Sequence, residues 1–198
     1  MSLPAEKSKN KLYSYKDYLN FPKEERWEII EGVLYNMTPA PSRIHQEVLL
    51  ALASMFYNHL KGSDCKVYVA PFDVRLLDES TNDEDIKTVV QPDIVVVCDQ
   101  KKLDDAGCIG SPDIVVEIVS PSTASKDYIK KLELYEKHKI KEYWIVHPVD
   151  RVVMIYKIGE NGLYDKPNIY DDKGKVVVTA LNGTTETELT IDVGKVFS

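Results

Sequence analysis

Five letters, PDIVV, occur twice in this chain, in "QPDIVVVCDQ" at 91–100 and in "SPDIVVEIVS" at 111–120. Each copy opens a near-continuous run of β-branched residues of strand length. Such runs suit central strands covered on both faces, because half-exposed strands alternate apolar and polar residues. One strand is expected over 89–98 and another over 112–120. The echo ends after five letters, and no longer period sustains itself. Two core strands drawing on the same β-formers explain it. Beyond the shared letters the copies diverge: the first runs into Val97 and Cys98, the second into Glu117.

Burying an unpaired carboxylate is expensive. Glu117 is flanked by Val115, Val116, Ile118 and Val119, so a cation, a metal or an open cleft must compensate it. Asp93 and Asp113 open their runs, where a structural cap or salt bridge is the competing reading, favoured for Asp113. Asp113 and Glu117 share a strand face, but at ~3.3 Å per residue their backbones lie ~13 Å apart, too far to chelate one ion. Asp93, on an adjacent strand ~4.8 Å away, can lie opposite Glu117. Two carboxylates so placed can share a Mg²⁺, with waters completing its shell.

Hydrolysis of a phosphate ester also needs positive charge near the attacking water. Two residues beyond Glu117 stands Val119, so the strand supplies no lysine. The next segment is read as a loop and a helix, with Ile129, Leu132 and Tyr135 facing inward. Asp127, Lys131 and Tyr135 fall on one helical stripe at i, i+4 and i+8. Lys131 can reach over the sheet toward Glu117, or it can form a surface pair with Asp127. Lys130 points to the wrong face. Upstream, Glu28 and Glu31 lie in "RWEIIEG" and face opposite sides of a strand. His45 opens a long helix, as a substrate-orienting residue or as a surface or cap residue.

The rest of the chain supplies scaffold. Ser14 and Asp17 are spaced as an N-cap and its capping-box partner. "RWEIIEGVLYNM" reads as a hairpin or a bulged strand around Gly32. Ser42 caps a helix over 43–62, whose apolar stripe is Val48, Leu49, Leu52, Ala53, Phe56 and Leu60. Strands come next at 65–77, broken near Pro71, then at 141–148 and 150–159, with a small β extension at 160–198. The pattern is α/β (α+β): a central mixed sheet flanked by helices, with extra strands in the N- and C-terminal parts. Residues 1–12 read as a polar arm and 13–198 as a single domain.

Composition narrows the function classes. Hydrophobic residues are 43% and charged residues 29%, as in soluble globular domains. No apolar run reaches the ~20 residues of a membrane span, and no export signal is evident. Cys65, Cys98 and Cys108 lack metal-ligand spacing, so reduced thiols in a cytoplasmic protein are expected. The net charge of −7, with no basic stripe, argues against strong non-specific nucleic-acid binding. It leaves room for a carboxylate metal site.

Taken together, "RWEIIEGVLYNM…H", "QPDIVVV", "PDIVVEIVSPST", "D…K…Y" and "KEYWIVHP" resemble the Uma2 family, formerly a domain of unknown function. Its members are similar to the PD-(D/E)XK restriction-endonuclease-like nucleases. The resemblance spans roughly residues 13–197. It implies a restriction-endonuclease-like core and a Mg²⁺- or Mn²⁺-dependent phosphodiesterase acting on nucleic acid, with DNA the first choice. It places Asp93 on the first motif and Glu117 on the second, with Glu28 as the further acidic ligand and the displaced lysine at Lys131. Asp127, Tyr135 and His45 become accessory residues, and His147 stands where the family has an acid. The alternative class is a non-catalytic binding or regulatory protein on a nuclease scaffold. A nuclease for RNA or a small nucleotide is a third reading, and a homodimer is expected.

Overall fold

The computed structural model describes residues 11–22, 25–37, 41–78, 82–119, 126–185 and 187–198, without the side chains of 126 and 127. The arm expected over 1–12 therefore lies outside the described residues apart from Lys11 and Leu12.

Fourteen strands and four α-helices occur in chain order among these residues. They are α1 (Tyr15–Tyr18), β1 (Trp27–Ile30), β2 (Val33–Asn36), α2 (Arg43–Leu60), β3 (Lys66–Val69), β4 (Asp73–Arg75), β5 (Val89–Val90) and β6 (Ile94–Val97). Then come β7 (Leu103–Asp104), β8 (Gly107–Ile109), β9 (Ile114–Ile118), a π-helical segment (Lys126–Lys131), α3 (Leu132–Lys137), β10 (Glu142–His147) and β11 (Val152–Lys157). The tail holds β12 (Asn168–Tyr170), β13 (Lys175–Val177), β14 (Thr190–Asp192) and α4 (Val193–Val196).

The central sheet is six-stranded and mixed, in the order β12-β11-β10-β9-β6-β3. Only β9 and β10 run parallel within it. A second six-stranded sheet has the order β2-β1-β5-β4-β8-β7, and β13 pairs with β14. The architecture is the expected mixed α/β one, with more sheet in its N-terminal half than the sequence suggested.

The two PDIVV copies are β6 and β9, paired antiparallel: Ile94 opposite Val116, Val95 opposite Val115, Val96 opposite Ile114. Continuing that register by one residue sets Asp93 across from Glu117. The motif aspartates cap each other's strands. Asp93 Oδ2 accepts from the Ile118 amide at 2.8 Å, and Asp113 Oδ2 accepts from the Cys98 amide at 2.8 Å. Asp113 also pairs with Lys141 at 2.7 Å, a structural role that agrees with its favoured reading.

Alternation along the strands divides the core. Ile114, Val116, Ile118, Trp144 and Val146 pack against Val48, Leu52, Phe56 and Leu60 of α2. Val115, Val119, Tyr143 and Ile145 pack against Leu134 and Tyr135 of α3 and against Ile30, Val74 and Val90 of the second sheet. Helix α2 starts where Ser42 accepts from the His45 amide. Asp17 receives the Ser14 amide at 3.0 Å, closing the capping box of α1. Between β1 and β2, Glu31 and Gly32 both take positive φ, 51° and 80°, the signature of a tight two-residue hairpin turn.

Three expectations are corrected. The strand expected over 89–98 is two strands in different sheets, β5 and β6. Pro92 has no N–H and cannot continue a ladder, and there the chain passes from one sheet to the other. Ile129 is 57% exposed rather than inward-facing. The π-helical turn takes more residues than an α-turn, which shifts the phase and leaves Leu134 and Tyr135 as the buried pair. The thiols are not all reduced. Cys65 and Cys98 form a disulfide and only Cys108 is free. The pairing of Lys66 with Val97 puts the two cysteines opposite each other, a proximity hidden by their sequence separation of 33. No helix among the described residues is long and apolar enough to cross a membrane.

Candidate active site

Parallel neighbouring strands require a crossover connection. Between β9 and β10 that connection contains the π-helical segment and α3, which lie over the sheet face that Glu117 shares with Val115 and Val119. The crossover therefore delivers its own side chains to Glu117. Lys131 Nζ lies 2.7 Å from Glu117 Oε1, and the Tyr135 hydroxyl donates to the same oxygen at 3.0 Å.

Glu28 comes from the second sheet. It is fully buried, and its Oε1 lies 2.8 Å from Lys131 Nζ. The same Oε1 accepts from the Gln91 amide at 3.1 Å. One ammonium, 2% exposed, is thus shared by two buried carboxylates. The competing reading of Lys131 as half of a surface pair is excluded by that burial. Asp127 is placed only in backbone within the π-helical segment, and its side chain lies outside the described residues.

Asp93 stands at the more open side of this cluster, with its side chain 20% exposed. Its Oδ2, besides taking the Ile118 amide, lies 3.2 Å from His45 Nε2. Opposite a carboxylate, Nε2 is the nitrogen that carries the proton. His45 Nδ1 is buried and has no hydrogen-bond partner among the described residues. The expected residues Glu28, Glu117, Lys131 and Tyr135 therefore converge through direct contacts, and Asp93 with His45 forms a second pair on the strand facing Glu117. Glu31 is the turn residue, exposed and paired with Lys137 at 3.0 Å, so Glu28 is the inward member of its pair.

Gln91 escaped the sequence reading. Its amide holds Glu28, while its side chain donates to Asp73 Oδ1 at 2.7 Å and to Tyr18 and accepts from Arg26. Its place immediately before the chain-breaking Pro92 was the available signal. His147 ends β10 and contacts the Tyr128 hydroxyl. Burial lowers the His147 pKa below the ordinary histidine value, partly opposed by Asp150.

Carboxylates are hard oxygen donors, the class that Mg²⁺ and Mn²⁺ take. That Glu28 and Glu117 both reach one ammonium shows that they can share a single cationic centre. Among the described residues, no three His, Cys, Asp or Glu side chains gather as a ready-made metal cage. A hard ion here would take few protein ligands and complete its shell with water.

Fold and site together define a restriction-endonuclease-like protein. The profile of the Uma2 family, described as "Putative restriction endonuclease", matches residues 13–192, and the chain belongs to that family. An uncharacterized protein of Synechocystis sp. is 26% identical over 152 residues, which is 75% of this chain and 76% of its own. A crystal structure from Anabaena variabilis, described as "a putative nuclease belonging to DUF820", matches with a TM-score of 0.71 at 18% identity. That match covers 93% of this chain and 97% of the other, and it is a likeness of fold.

Proposed function

We propose that this chain is a metal-dependent phosphodiesterase acting on nucleic acid, with DNA as its substrate class. The observation that carries the reading is the buried Lys131 ammonium shared by Glu28 and Glu117, with Asp93 set on the facing strand. Membership of the Uma2 family supports it. Asp93 and Glu117 would hold one Mg²⁺ or Mn²⁺, with Glu28 contributing directly or through a water. Bound there, such an ion lowers the pKa of a coordinated water and offsets charge building on the phosphate. Lys131 would orient an attacking water and offset negative charge in the transition state. Tyr135 fixes the Glu117 carboxylate, and the His45 contact fixes Asp93. Dimerisation would use the central sheet's free edges, β3 and β12, the latter with Ile169 63% exposed.

The test is incubation of plasmid DNA, single-stranded DNA and RNA with the chain in Mg²⁺ or Mn²⁺, with and without chelator. Chelator-sensitive cleavage that disappears in Glu117→Gln and Asp93→Asn is expected. Cleavage at the unmodified rate in either variant overturns the assignment. A second reading, a non-catalytic binding protein on the same scaffold, draws support from the lack of a three-ligand cage among the described residues. Calorimetric titration separates the two, because absence of heat with Mg²⁺ and Mn²⁺ at millimolar concentration favours the second.

A further inference from the structure

A cavity of about 470 Å³ adjoins the candidate site, lined by residues that include Tyr68, Pro71, Phe72, Asp73, Gln91 and Asp105. Two of its walls are bonded to the site itself. The Gln91 amide holds Glu28, and the Ala70 amide, one residue before Pro71, donates to the Asp93 carbonyl at 3.1 Å. The cavity and the candidate site are therefore tied together through Gln91 and the 70–71 backbone.

The lining selects for a base. The Tyr68 and Phe72 rings stack in parallel, with centroids 4.2 Å apart and planes 4° apart. Flat rings of this kind continue a stack with any base, and such stacking is worth roughly tenfold or more in affinity per base. The polar groups are mostly acceptors. Asp73 Oδ1 takes hydrogen bonds from Tyr18 and Gln91, while its Oδ2 takes none from the described residues. Burial and the Asp73 charge hold the Tyr18 pKa above its ordinary value, so its hydroxyl stays a donor to Oδ1. The Asp105 carboxylate is exposed and takes no hydrogen bond from the described residues. Asp104 is already neutralised by Arg75 at 2.5 Å. Among the described residues lining the cavity there is no lysine, arginine or histidine. The floor is fixed by Gly107, where a Cβ would fall 2.2 Å from the Asp73 carbonyl oxygen.

A phosphate would find repulsion here. A base that presents an exocyclic amino group would find both its ring and its donors matched. The geometry points to a nucleobase subsite that prefers amino-bearing bases such as cytosine over thymine, which offers a carbonyl and a methyl group instead. This inference rests on the nucleic-acid reading of the neighbouring site and names what that site recognises.

The test is binding without cleavage. The full chain carrying Glu117→Gln is titrated, at fixed salt, with fluorescein-labelled short oligo-deoxycytidine and oligo-deoxythymidine, and anisotropy is monitored. Deoxycytidine is expected to bind about tenfold more tightly, the worth of one hydrogen bond to a charged acceptor. Asp105→Asn, at an exposed position, should shrink that preference. Phe72→Leu, which keeps apolar bulk but removes the ring, should weaken deoxycytidine binding by about tenfold. Equal affinity for the two oligonucleotides, no binding of either, a preference intact in Asp105→Asn, or deoxycytidine affinity intact in Phe72→Leu overturns the subsite. A preference for deoxycytidine with no cleavage by the unmodified chain upholds the subsite and removes the nuclease reading. Cleavage without the preference does the reverse.

Discussion

Two buried glutamates occupy neighbouring strands of the central sheet and face opposite ways. Glu117 on β9 lies on the side of α3, and Glu142 on β10 lies on the side of α2. Both are nearly sealed from solvent, at 5% and 1% exposure. Glu142 Oε1 accepts from the Thr179 amide at 2.8 Å, the Thr179 hydroxyl at 2.6 Å and the Ala180 amide at 3.0 Å. Its Oε2 accepts from Trp144 Nε1 at 2.9 Å. Neutral donors fixed by the fold surround it, and Lys157 stands back at 3.5 Å. It ties the C-terminal segment to the sheet. Glu117 instead shares the Lys131 ammonium with Glu28. Its carboxylate meets the Lys131 ammonium and the Tyr135 hydroxyl, both delivered by the crossover. The first arrangement joins a carboxylate to donors of the C-terminal segment, whereas the second gathers two acidic side chains and an ammonium from separate elements.

Removing Lys131 should give the largest effect. Lys131→Met leaves two buried carboxylates without their shared cation, so a loss of about 3–5 kcal/mol in stability is expected. Cleavage per folded molecule should fall by about 10²–10³-fold, the usual worth of one charge-stabilising group. Urea melts and initial rates measure the two. Wild-type stability in this variant would show that the ammonium does not compensate the pair.

Glu117→Gln sharpens the contrast. It should lower cleavage by about 10²–10³-fold as well. Its melting temperature should hold, because Glu28 keeps the Lys131 ammonium paired. A melting temperature several degrees lower would make Glu117 a structural tie like Glu142. For Glu142→Ala the reverse is expected. Several donors lose their acceptor, at a cost of about 3 kcal/mol, and cleavage per folded molecule stays unchanged. Loss of cleavage there at full stability would break the comparison from the other side.

The two glutamates were not equally legible. Glu117 interrupts a β-branched run, and the cost of burying it flagged it at once. Glu142 sits in "KEYWIVHP" at the start of its strand, where a carboxylate raises no alarm. Its significance depends on residues 179 and 180, which no local pattern connects to it. The opposition of Asp93 and Glu117 was readable because paired strands of known spacing allow few registers. Lys131 was readable only as one of two roles for a helical stripe, and burial decided between them. The split at Pro92 and the Cys65–Cys98 pairing stayed hidden because both depend on which sheet each strand joins. Ile129 was misplaced because an α-helical period was applied to a π-helical turn.

The smallest expected effect concerns pH, and it asks whether either glutamate governs stability near neutrality. Burial lowers the His138 pKa below its ordinary 6.5, aided by Lys137 and opposed chiefly by Asp78 and Glu31. The unfolded chain then binds a proton more readily than the folded one as pH falls below about 6.5. Stability is full above that value and declines as pH drops from 6.5 toward the lowered folded pKa. The elements around His138 supply Asp78, at 3.8 Å from Nε2, and Lys137, which itself pairs with Asp78 at 3.1 Å. Thermal melts at pH 7.5 and 5.5 should show a modest loss at the lower pH, reduced in His138→Gln. If the loss is unchanged in that variant, His138 is not its source, and the same melts on Glu117→Gln and Glu142→Ala ask whether either glutamate is.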